Sequence, residues 1–449
     1  MPESDLSDRL AAVLEPIRLR RSELSELWES LQHHPTQAIR VSSQASAAPP
    51  FHVEPVAWYP RRGRRLTAPA RPAGWIEHAR GDYYVQDAGS MLALAALDAR
   101  DGEALCDLCA APGGKATALA EAVVASGLLL ANEPIRSRLG ALRLNLARGG
   151  TGRYAISCVD PRRLAARLAG RFDGVLADVP CTGQTMLRRG KRPAAAFSPR
   201  HVRHSAARQA RILSAAADLV APGGRLVYST CTLSWNENEQ RVTDFVSDHE
   251  GWQIEPVEGL SPWQSPPPAP RGCYRLWPHR DDCAGAFAAR LRRSGGAAPP
   301  RPAPPARLPH AAAQGPNVHC GGIDIGDWGQ WRGPVTIRSF GPRCWALPGD
   351  WPAWLADGVE GPEVAYRPGE RSWQPAYALA MRRDGAFEPH RRVDLTESDA
   401  KAYLRGLSVP GDAVGWAVAT FGGGTLGWVK GGGGRLTNHL PRPARCLLL

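Results

Sequence analysis

The sequence predicts an α/β protein: a parallel sheet with helices on both faces, set between a small N-terminal domain and a β-rich C-terminal region. Three observations predict it. Between about Tyr83 and Arg293, short apolar runs alternate with alanine-rich helical segments, and strands separated by helices assemble into parallel sheets. Six of the eleven residues from Pro299 to Pro309 are proline, which reads as an extended linker. Beyond it lie eight of the fifteen tryptophans, many glycines and short apolar runs such as Val414-Gly-Trp-Ala-Val-Ala and Thr425-Leu-Gly-Trp-Val, joined in hairpin style through Phe421-Gly-Gly-Gly.

Taken in order, the chain opens with helical apolar spacing from Leu6 to Gln32 (Leu10, Leu14, Ile17, Leu24, Leu27, Leu31). From Val56 to Arg80, six arginines (Arg61, Arg62, Arg64, Arg65, Arg71, Arg80) stand against one acid, Glu77, with Trp58, Tyr59 and Trp75 interleaved. Two readings stay open there: a solvated loop over core tryptophans, or a phosphate-contacting patch with stacking platforms. The expected strands of the central sheet are Ala104–Leu108, Leu128–Asn132, Ala155–Val159, Gly174–Ala177 and Arg225–Ser229. Helical segments such as Ala116–Val124 and Ser205–Val220 lie between them. The expected organisation is a small leading domain (1–80), a central domain (81–294), a linker (295–318), a β-rich module (319–390) and a second small module (391–449).

Composition narrows the function. At roughly 150 residues per domain, 449 residues hold about three. With 55 Lys+Arg against 43 Asp+Glu, the net charge of +12 points to a polyanionic partner, nucleic acid or an anionic membrane surface. Glycine (47) and proline (41) disfavour an all-helical architecture. No run approaches the roughly 18 apolar residues of a membrane span. The acidic start Met1-Pro-Glu-Ser-Asp lacks a signal-peptide pattern, and ten cysteines are too sparse for a disulfide scaffold. The expectation is a reduced, cytoplasmic protein.

The most informative stretch is Leu105-Cys-Asp-Leu-Cys-Ala-Ala-Pro-Gly-Gly-Lys-Ala-Thr, a strand running through a small-residue turn into a helix. Such a turn admits a ligand to the backbone N–H groups of a helix start. A phosphate-binding loop of the Walker type would need glycine at position 109 and Ser or Thr at 116; the chain has Cys109 and Ala116. A Cys106–Cys109 redox or zinc pair has no second pair at metal spacing, and no metal is expected. A Rossmann-type nucleoside site needs an acid closing the second strand, about 20 residues on. Glu133 follows Leu128-Leu-Leu-Ala-Asn, and Asp160 ends the third strand, where it could meet an adenine edge. The fourth strand ends Val175-Leu-Ala-Asp-Val-Pro-Cys-Thr-Gly and the fifth Leu226-Val-Tyr-Ser-Thr-Cys-Thr. Asp178, Cys181 and Cys231 therefore fall at the strand ends where such sheets bind ligands.

These motifs (Asp107-Leu-Cys-Ala-Ala-Pro-Gly-Gly-Lys115, Asp178-Val-Pro-Cys181-Thr-Gly, Ser229-Thr-Cys231-Thr and Asn236-Glu-Asn-Glu) resemble the signature set of the Nop/Sun family of S-adenosylmethionine-dependent RNA cytosine-5 methyltransferases. Tyr83-Tyr-Val-Gln-Asp before the domain and Ala284-Gly-Ala-Phe-Ala-Ala at its close extend the likeness over roughly residues 50 to 293. Ala131-Asn-Glu-Pro, and the tail Leu426-Gly-Trp-Val-Lys with Leu436-Thr-Asn-His-Leu-Pro, are similar to a bacterial ribosomal-RNA branch whose tail forms a PUA-like RNA-binding module. The chain departs from the family in having Arg40-Val-Ser-Ser where Arg-Val-Asn is usual, and Asp-Val-Pro-Cys where Asp-Ala-Pro-Cys is commoner.

The resemblance implies a Rossmann-like class I methyltransferase sheet, S-adenosylmethionine as cofactor, and RNA, most often ribosomal, as substrate. Transfer-RNA methylation and a non-catalytic ribosome-assembly role are the alternatives. It implies Cys231 as nucleophile, Cys181 in product release and Asp178 at the base edge. It implies a cofactor site of Cys109, Ala110, Ala111, Pro112, Gly113, Gly114, Lys115, Glu133, Asp160 and Asp178. From Arg188 to Arg211 eight Lys/Arg occur without an acid. Arg188, Arg189, Lys191 and Arg192 are accordingly expected to bind RNA, since solvated faces mix signs. The chain is expected to act as a monomer and away from membranes.

Overall fold

A computed structural model describes residues 3–185, 194–295, 325–355, 358–369 and 372–446. The expected linker from residue 296 on, and Arg188, Arg189, Lys191 and Arg192, lie outside the described residues.

The leading apolar run forms two helices, α1 (Glu3–Leu14) and α2 (Arg21–Ser30), rather than one. A short turn over Glu15–Ile17 separates them: Pro16 lacks an N–H for a continuing helix, and Arg18 adopts a left-handed φ of 51°. Leu10, Leu14, Leu27 and Leu31 do not build a core of their own. They pack against Phe197, Leu233, Trp235 and Trp277 of the central unit. Strands β1 (Ala38–Val41), β2 (Val53–Pro55), β3 (Gly63–Leu66) and β4 (Tyr83–Val85) make an antiparallel sheet in the order β2-β3-β1-β4, with α3 (Ile76–Arg80) before β4. This sheet takes its last strand from beyond residue 80, where the sequence suggested a domain boundary.

The central unit follows with α4 (Leu92–Leu97), β5 (Ala104–Asp107), α5 (Gly114–Ala122), β6 (Leu128–Asn132), α6 (Leu139–Gly149), β7 (Tyr154–Ser157), α7 (Pro161–Leu168), β8 (Phe172–Asp178), α8 (Pro199–Leu219), β9 (Val220–Thr230), α9 (Glu239–Asp248), β10 (Trp252–Ile254), β11 (Cys273–Leu276), α10 (Pro278–Asp281) and β12 (Ala286–Arg293). The sheet order is β10-β12-β9-β8-β5-β6-β7, with β11 also on β12. Strands β5 to β9 pair in parallel, while β10, β11 and β9 each run antiparallel to β12. The sheet is therefore mixed, and its antiparallel margin went unread in the sequence.

Alternation along the strands divides the core. Leu105, Leu129, Leu176 and Val227 pack with α4, α5 and α6 on one face. Cys106, Leu130, Val175 and Leu226 pack with α7 and α8 on the other. Burial on both faces explains why the parallel strands read as continuous apolar runs.

After the linker, β13 (Gly329–Trp331) pairs with β18 (Phe387–Pro389). Strands β14 (Val335–Phe340), β15 (Arg343–Pro348), β16 (Glu363–Tyr366) and β17 (Gln374–Pro375) form a second small sheet, followed by α11 (Tyr377–Ala380). The last unit contains β19 (Arg392–Asp394), α12 (Glu397–Leu404), β20 (Val409–Pro410), β21 (Gly415–Phe421), β22 (Gly424–Gly432) and β23 (Arg435–Asn438), in the order β19-β21-β22-β23-β20. The C-terminal region is tied to the core. Glu360 bridges the free edge of β7 through Ile156 and takes a bidentate ion pair from Arg143 at 2.7 and 2.8 Å, which covers an exposed edge strand. Arg383 reaches back to the carbonyls of Gln44, Gly81 and Gly149.

Candidate active site

Four acids close four adjacent parallel strands. Read across the sheet they are Asp178 at the end of β8, Asp107 at the end of β5, Glu133 one residue past β6, and Asp160 past β7. This is the carboxyl edge, where open α/β sheets bind ligands. The turn between β5 and α5 is held from several sides. Ala110 N donates to Asn132 O at 2.9 Å, Ala111 N to Glu133 Oε2 at 3.3 Å, and Asn145 Nδ2 to Pro112 O at 2.8 Å. Gly113 sits at φ 116° as the residue before α5. A Cβ there would meet Asn145 Cβ at 3.1 Å, and one at Gly114 the Tyr84 ring at 3.2 Å. Glycine is required at the first for its backbone and favoured at both by close packing.

The acids differ in environment. Asp107 is buried, and neither carboxylate oxygen has a hydrogen-bond partner among the described residues. Burial, then the charge of Asp178, pushes its pKa up to about 7. Asp178 accepts an ion pair from Lys115 Nζ at 2.7 Å. Burial opposes the Lys115 charge, but Asp178 outweighs it and raises the ammonium pKa. Glu133 accepts from Ile135 N at 3.0 Å and from Arg138 Nη1 at 3.0 Å. Asp160 caps α7 through Arg162 N at 3.0 Å and remains half exposed. Asn132 knits the strand ends together. It donates to Leu108 O and Val159 O, and its Oδ1 accepts from Ser157 Oγ at 2.7 Å.

The structure brings the two cysteine loops together. Cys181 Sγ and Cys231 Sγ are 3.4 Å apart. Cys231 is exposed, whereas Cys181 is more enclosed. The Cys231 contact, then burial, raises the Cys181 thiol pKa. Cys106 and Cys109, the other nearby thiols, are also pushed up by burial.

Sequence reasoning passed over what holds the cysteines in place. Glu237 is fully buried, and its carboxylate accepts from Thr182 N at 3.0 Å, from the Thr182 hydroxyl, from Gln209 Nε2 at 2.8 Å and from Thr232 Oγ1 at 3.2 Å. Thr182 and Thr232 each follow a site cysteine, so one carboxylate clamps both loops. Burial raises the Glu237 pKa against these hydrogen bonds. Asn238 and Glu239 complete the support: Asn238 Nδ2 donates to Thr232 O at 3.0 Å, and Glu239 pairs with buried Arg275 at 2.6 Å. Asn236-Glu-Asn-Glu was visible in the sequence only as part of a resemblance; its role is structural support for the site.

Two features of the leading domain are fixed by its packing. Arg40 is turned inward. It is buried, donating to Thr117 Oγ1 at 2.8 Å and pairing with Glu121 at 3.1 Å, both on α5. Much of the Arg61–Arg80 run is committed within the fold, although Trp75 stays exposed. Arg62 pairs with Glu121, Arg65 donates to Asp281 O, Arg80 is buried against Asp82, and Trp58 is buried with Nε1 on Ala88 O. Arg61 and Arg71 remain exposed. The leading and closing motifs do meet, since Asp87 accepts from Ala284 N at 3.1 Å.

The donor set fits S-adenosylmethionine. Asp107 and Asp178 offer carboxylates to cationic groups. Glu133 closes the second parallel strand beside the glycine turn, an acid of the kind that accepts from a ribose diol, and Gly113-Gly114 open the helix start to close approach. Among the described residues no helix is long and apolar enough to cross a membrane.

Comparison with known proteins agrees. Residues 94–292 match a family model described as 16S rRNA methyltransferase RsmB/F, and residues 390–446 one described as methyltransferase RsmF PUA domain. The chain is 32% identical to ribosomal RNA small subunit methyltransferase F of Klebsiella pneumoniae (strain 342), over 82% of this chain and 78% of that one. It is 30% identical to the protein of the same name from Cronobacter sakazakii, over 87% and 84%. A methyltransferase homolog protein from Pyrococcus horikoshii shares the fold at a TM-score of 0.53 and 24% identity, over 63% of this chain and 98% of that one. NSun6 from the same organism, solved with SFG, does so at 0.52 and 19%, over 64% and 98%.

Proposed function

Because the chain belongs to the RsmB/F family of 16S rRNA methyltransferases, S-adenosylmethionine-dependent enzymes, we propose that it forms 5-methylcytosine in ribosomal RNA, with Cys231 as the attacking nucleophile. The observation that carries this reading is the pair of thiols 3.4 Å apart at the carboxyl edge, beside the acid row. A single structural cysteine would need neither the partner nor the Glu237 clamp.

Carbon 5 of cytosine is a weak nucleophile. In the proposed reaction the Cys231 thiolate adds to carbon 6, forming a carbon–sulfur bond and an enamine whose electron pair is directed to carbon 5, a form of covalent catalysis. When bound, S-adenosylmethionine supplies an electrophilic sulfonium methyl. Cys109 to Lys115, Glu133, Asp160 and Asp178 would hold it. Asp178, fixed by Lys115, would accept a hydrogen bond from the base edge and favour protonation at N3. After methyl transfer, carbon 5 must lose its proton while the Cys231–carbon 6 bond breaks and its electrons return to sulfur. Cys181, 3.4 Å from Cys231, would assist that elimination. The PUA-type module at the C-terminus and the basic segment containing Arg188, Arg189, Lys191 and Arg192 would hold flanking RNA. A base in helical RNA also has to be unstacked to reach the thiols.

The test uses tritiated S-adenosylmethionine and 16S rRNA. Cys231→Ala should abolish transfer of label, and Cys181→Ala should accumulate a protein–RNA adduct that survives a denaturing gel. Retained transfer in the first variant would sink the nucleophile assignment, and no adduct in the second would sink the release role. A chain that methylates only transfer RNA would favour the alternative substrate.

A further inference from the structure

Helices α7 and α8 lie side by side on one face of the central sheet, and a groove of about 690 Å³ runs between them. Its lining includes Ala165, Ala166 and Ala169 from α7 and Arg211, Ala215 and Asp218 from α8, with Arg162 and Arg293 also contributing. Small side chains leave the space open, and three arginines line it beside one acid: Arg211, Arg162, which also pairs with Asp160 at 3.5 Å, and Arg293, whose Nη1 donates to Val220 O at 2.6 Å. The groove is continuous with a charged row. Arg200, Arg203, His204, Arg208 and Arg211 are all exposed on α8. None of these four arginines makes a hydrogen bond or ion pair to another described residue that would commit its charge. Asp218 is the only acid on α8, and α7 carries exposed Arg162, Arg163 and Arg167 with no acid. Surface helices ordinarily mix signs and pair them at i,i+4; here only Arg162 has an acid beside it, Asp160 at the head of α7.

The row also has a place relative to the thiols. On the inner side of α8, Gln209 Nε2 donates to Pro180 O at 3.1 Å, immediately before Cys181. Gln184 Nε2, three residues past Cys181, donates to Ala196 O at 2.8 Å just ahead of α8, so the start of the helix borders the cysteine loop, and from Arg200 to Arg211 the exposed face opposite Gln209 spans about 16 Å at 1.5 Å per residue. We propose that the α7/α8 groove and the arginine row leading to it form a docking track for the sugar–phosphate backbone of RNA flanking the target base. The proposal rests on the reading that the substrate is RNA. An acidic protein segment would satisfy the charge of the groove alone, but not a row extending from it to the thiol loop. Arginine forks match phosphate oxygens, and the alanine floor admits a ribose.

The experiment uses the full chain with S-adenosylmethionine present and a fluorescein-labelled single-stranded RNA oligonucleotide, titrated across a series of salt concentrations. Two variants act on the groove: R162Q/R211Q, which removes charge, and A166E, which adds an acid at an exposed alanine without touching an arginine. For single strands each lost phosphate contact lowers the slope of log affinity against log salt by about 0.7. The double variant should therefore flatten it by about 1.4, and A166E should weaken low-salt binding roughly fivefold or more with the thermal midpoint unchanged. Unchanged slope and affinity in both variants would overturn the track. So would loss of binding to a polyglutamate probe with RNA binding intact. Label transfer to 16S rRNA by the parent chain is measured in parallel. If it fails while the variants still flatten the slope, the function fails and the track stands; the reverse pattern overturns the track alone.

Discussion

Replacing Asp107 by Asn should make the cofactor-free protein more stable while weakening its hold on the methyl donor. Asp107 is the one acid of the row that is buried without a hydrogen-bond partner among the described residues. Its pKa stands at about 7 in the fold against an ordinary value of 3.8. The folded state thus binds the proton more tightly than the unfolded one, and the stability linked to that proton is complete below 3.8 and lost as pH rises through about 7. At 1.36 kcal/mol for each tenfold in affinity, the loss amounts to roughly 4 kcal/mol, of which about 3 kcal/mol falls between pH 4 and pH 7. Asn has the same shape and does not titrate. Thermal unfolding of parent and D107N should therefore nearly coincide at pH 4 and diverge toward pH 7. There the variant unfolds roughly 6–12 °C higher, at 2–4 °C per kcal/mol for a unit of this size. Calorimetric titration with S-adenosylmethionine at neutral pH should show affinity down roughly tenfold or more, since a carboxylate facing a cation has gone. An Asn variant that is less stable at pH 7, or a difference that does not vary with pH, would refute the reasoning.

Two further substitutions probe the supports. Glu237→Ala strands donors on Thr182, Thr232 and Gln209, so urea unfolding should show a loss of roughly 3 kcal/mol; adduct yield should fall further than stability does, and Glu237→Gln should restore part of both. Unaltered adduct chemistry in Glu237→Ala would remove the carboxylate from any role in holding the thiols. Arg40→Met breaks a buried ion pair to α5 at a cost of roughly 3 kcal/mol, tempered by Arg62, which also reaches Glu121. It should weaken S-adenosylmethionine binding and leave the salt slope of RNA binding unchanged; a flattened slope would return Arg40 to the RNA surface.

Legibility followed sequence distance. Leu128–Asn132 was read to the residue because a fully buried parallel strand is a continuous apolar run closed by a turn. The glycine turn and its acids were legible because each sits at a strand end. Ala286–Arg293 was not read as a strand: it carries Arg290, Arg292 and Arg293, and its place is fixed by pairing with β9, more than fifty residues away in sequence. The role of Arg40 was illegible for the same reason, since Glu121 and Thr117 lie about eighty residues downstream. The arginines from 56 to 80 look like a substrate patch when counted, yet Arg62, Arg65 and Arg80 are committed to Glu121, Asp281 and Asp82. Composition records charge but not whether the fold has already paired it.

The two thiols show what geometry adds to a motif. Side by side at 3.4 Å, two thiolates would repel, so ionisation of one disfavours ionisation of the other. The enclosed Cys181 is pushed toward its neutral form by its contact with Cys231, then by burial, and in the proposed reaction it is the exposed Cys231 that meets the base. Once Cys231 is bonded to carbon 6 it no longer carries charge. Two of the causes that raise the Cys181 pKa, the hydrogen bond and the repulsion, then disappear. In the proposed reaction the second thiol thus becomes easier to ionise at the step where the carbon 5 proton must leave. In that reaction the pair would order its own use: consumption of the nucleophile readies its neighbour.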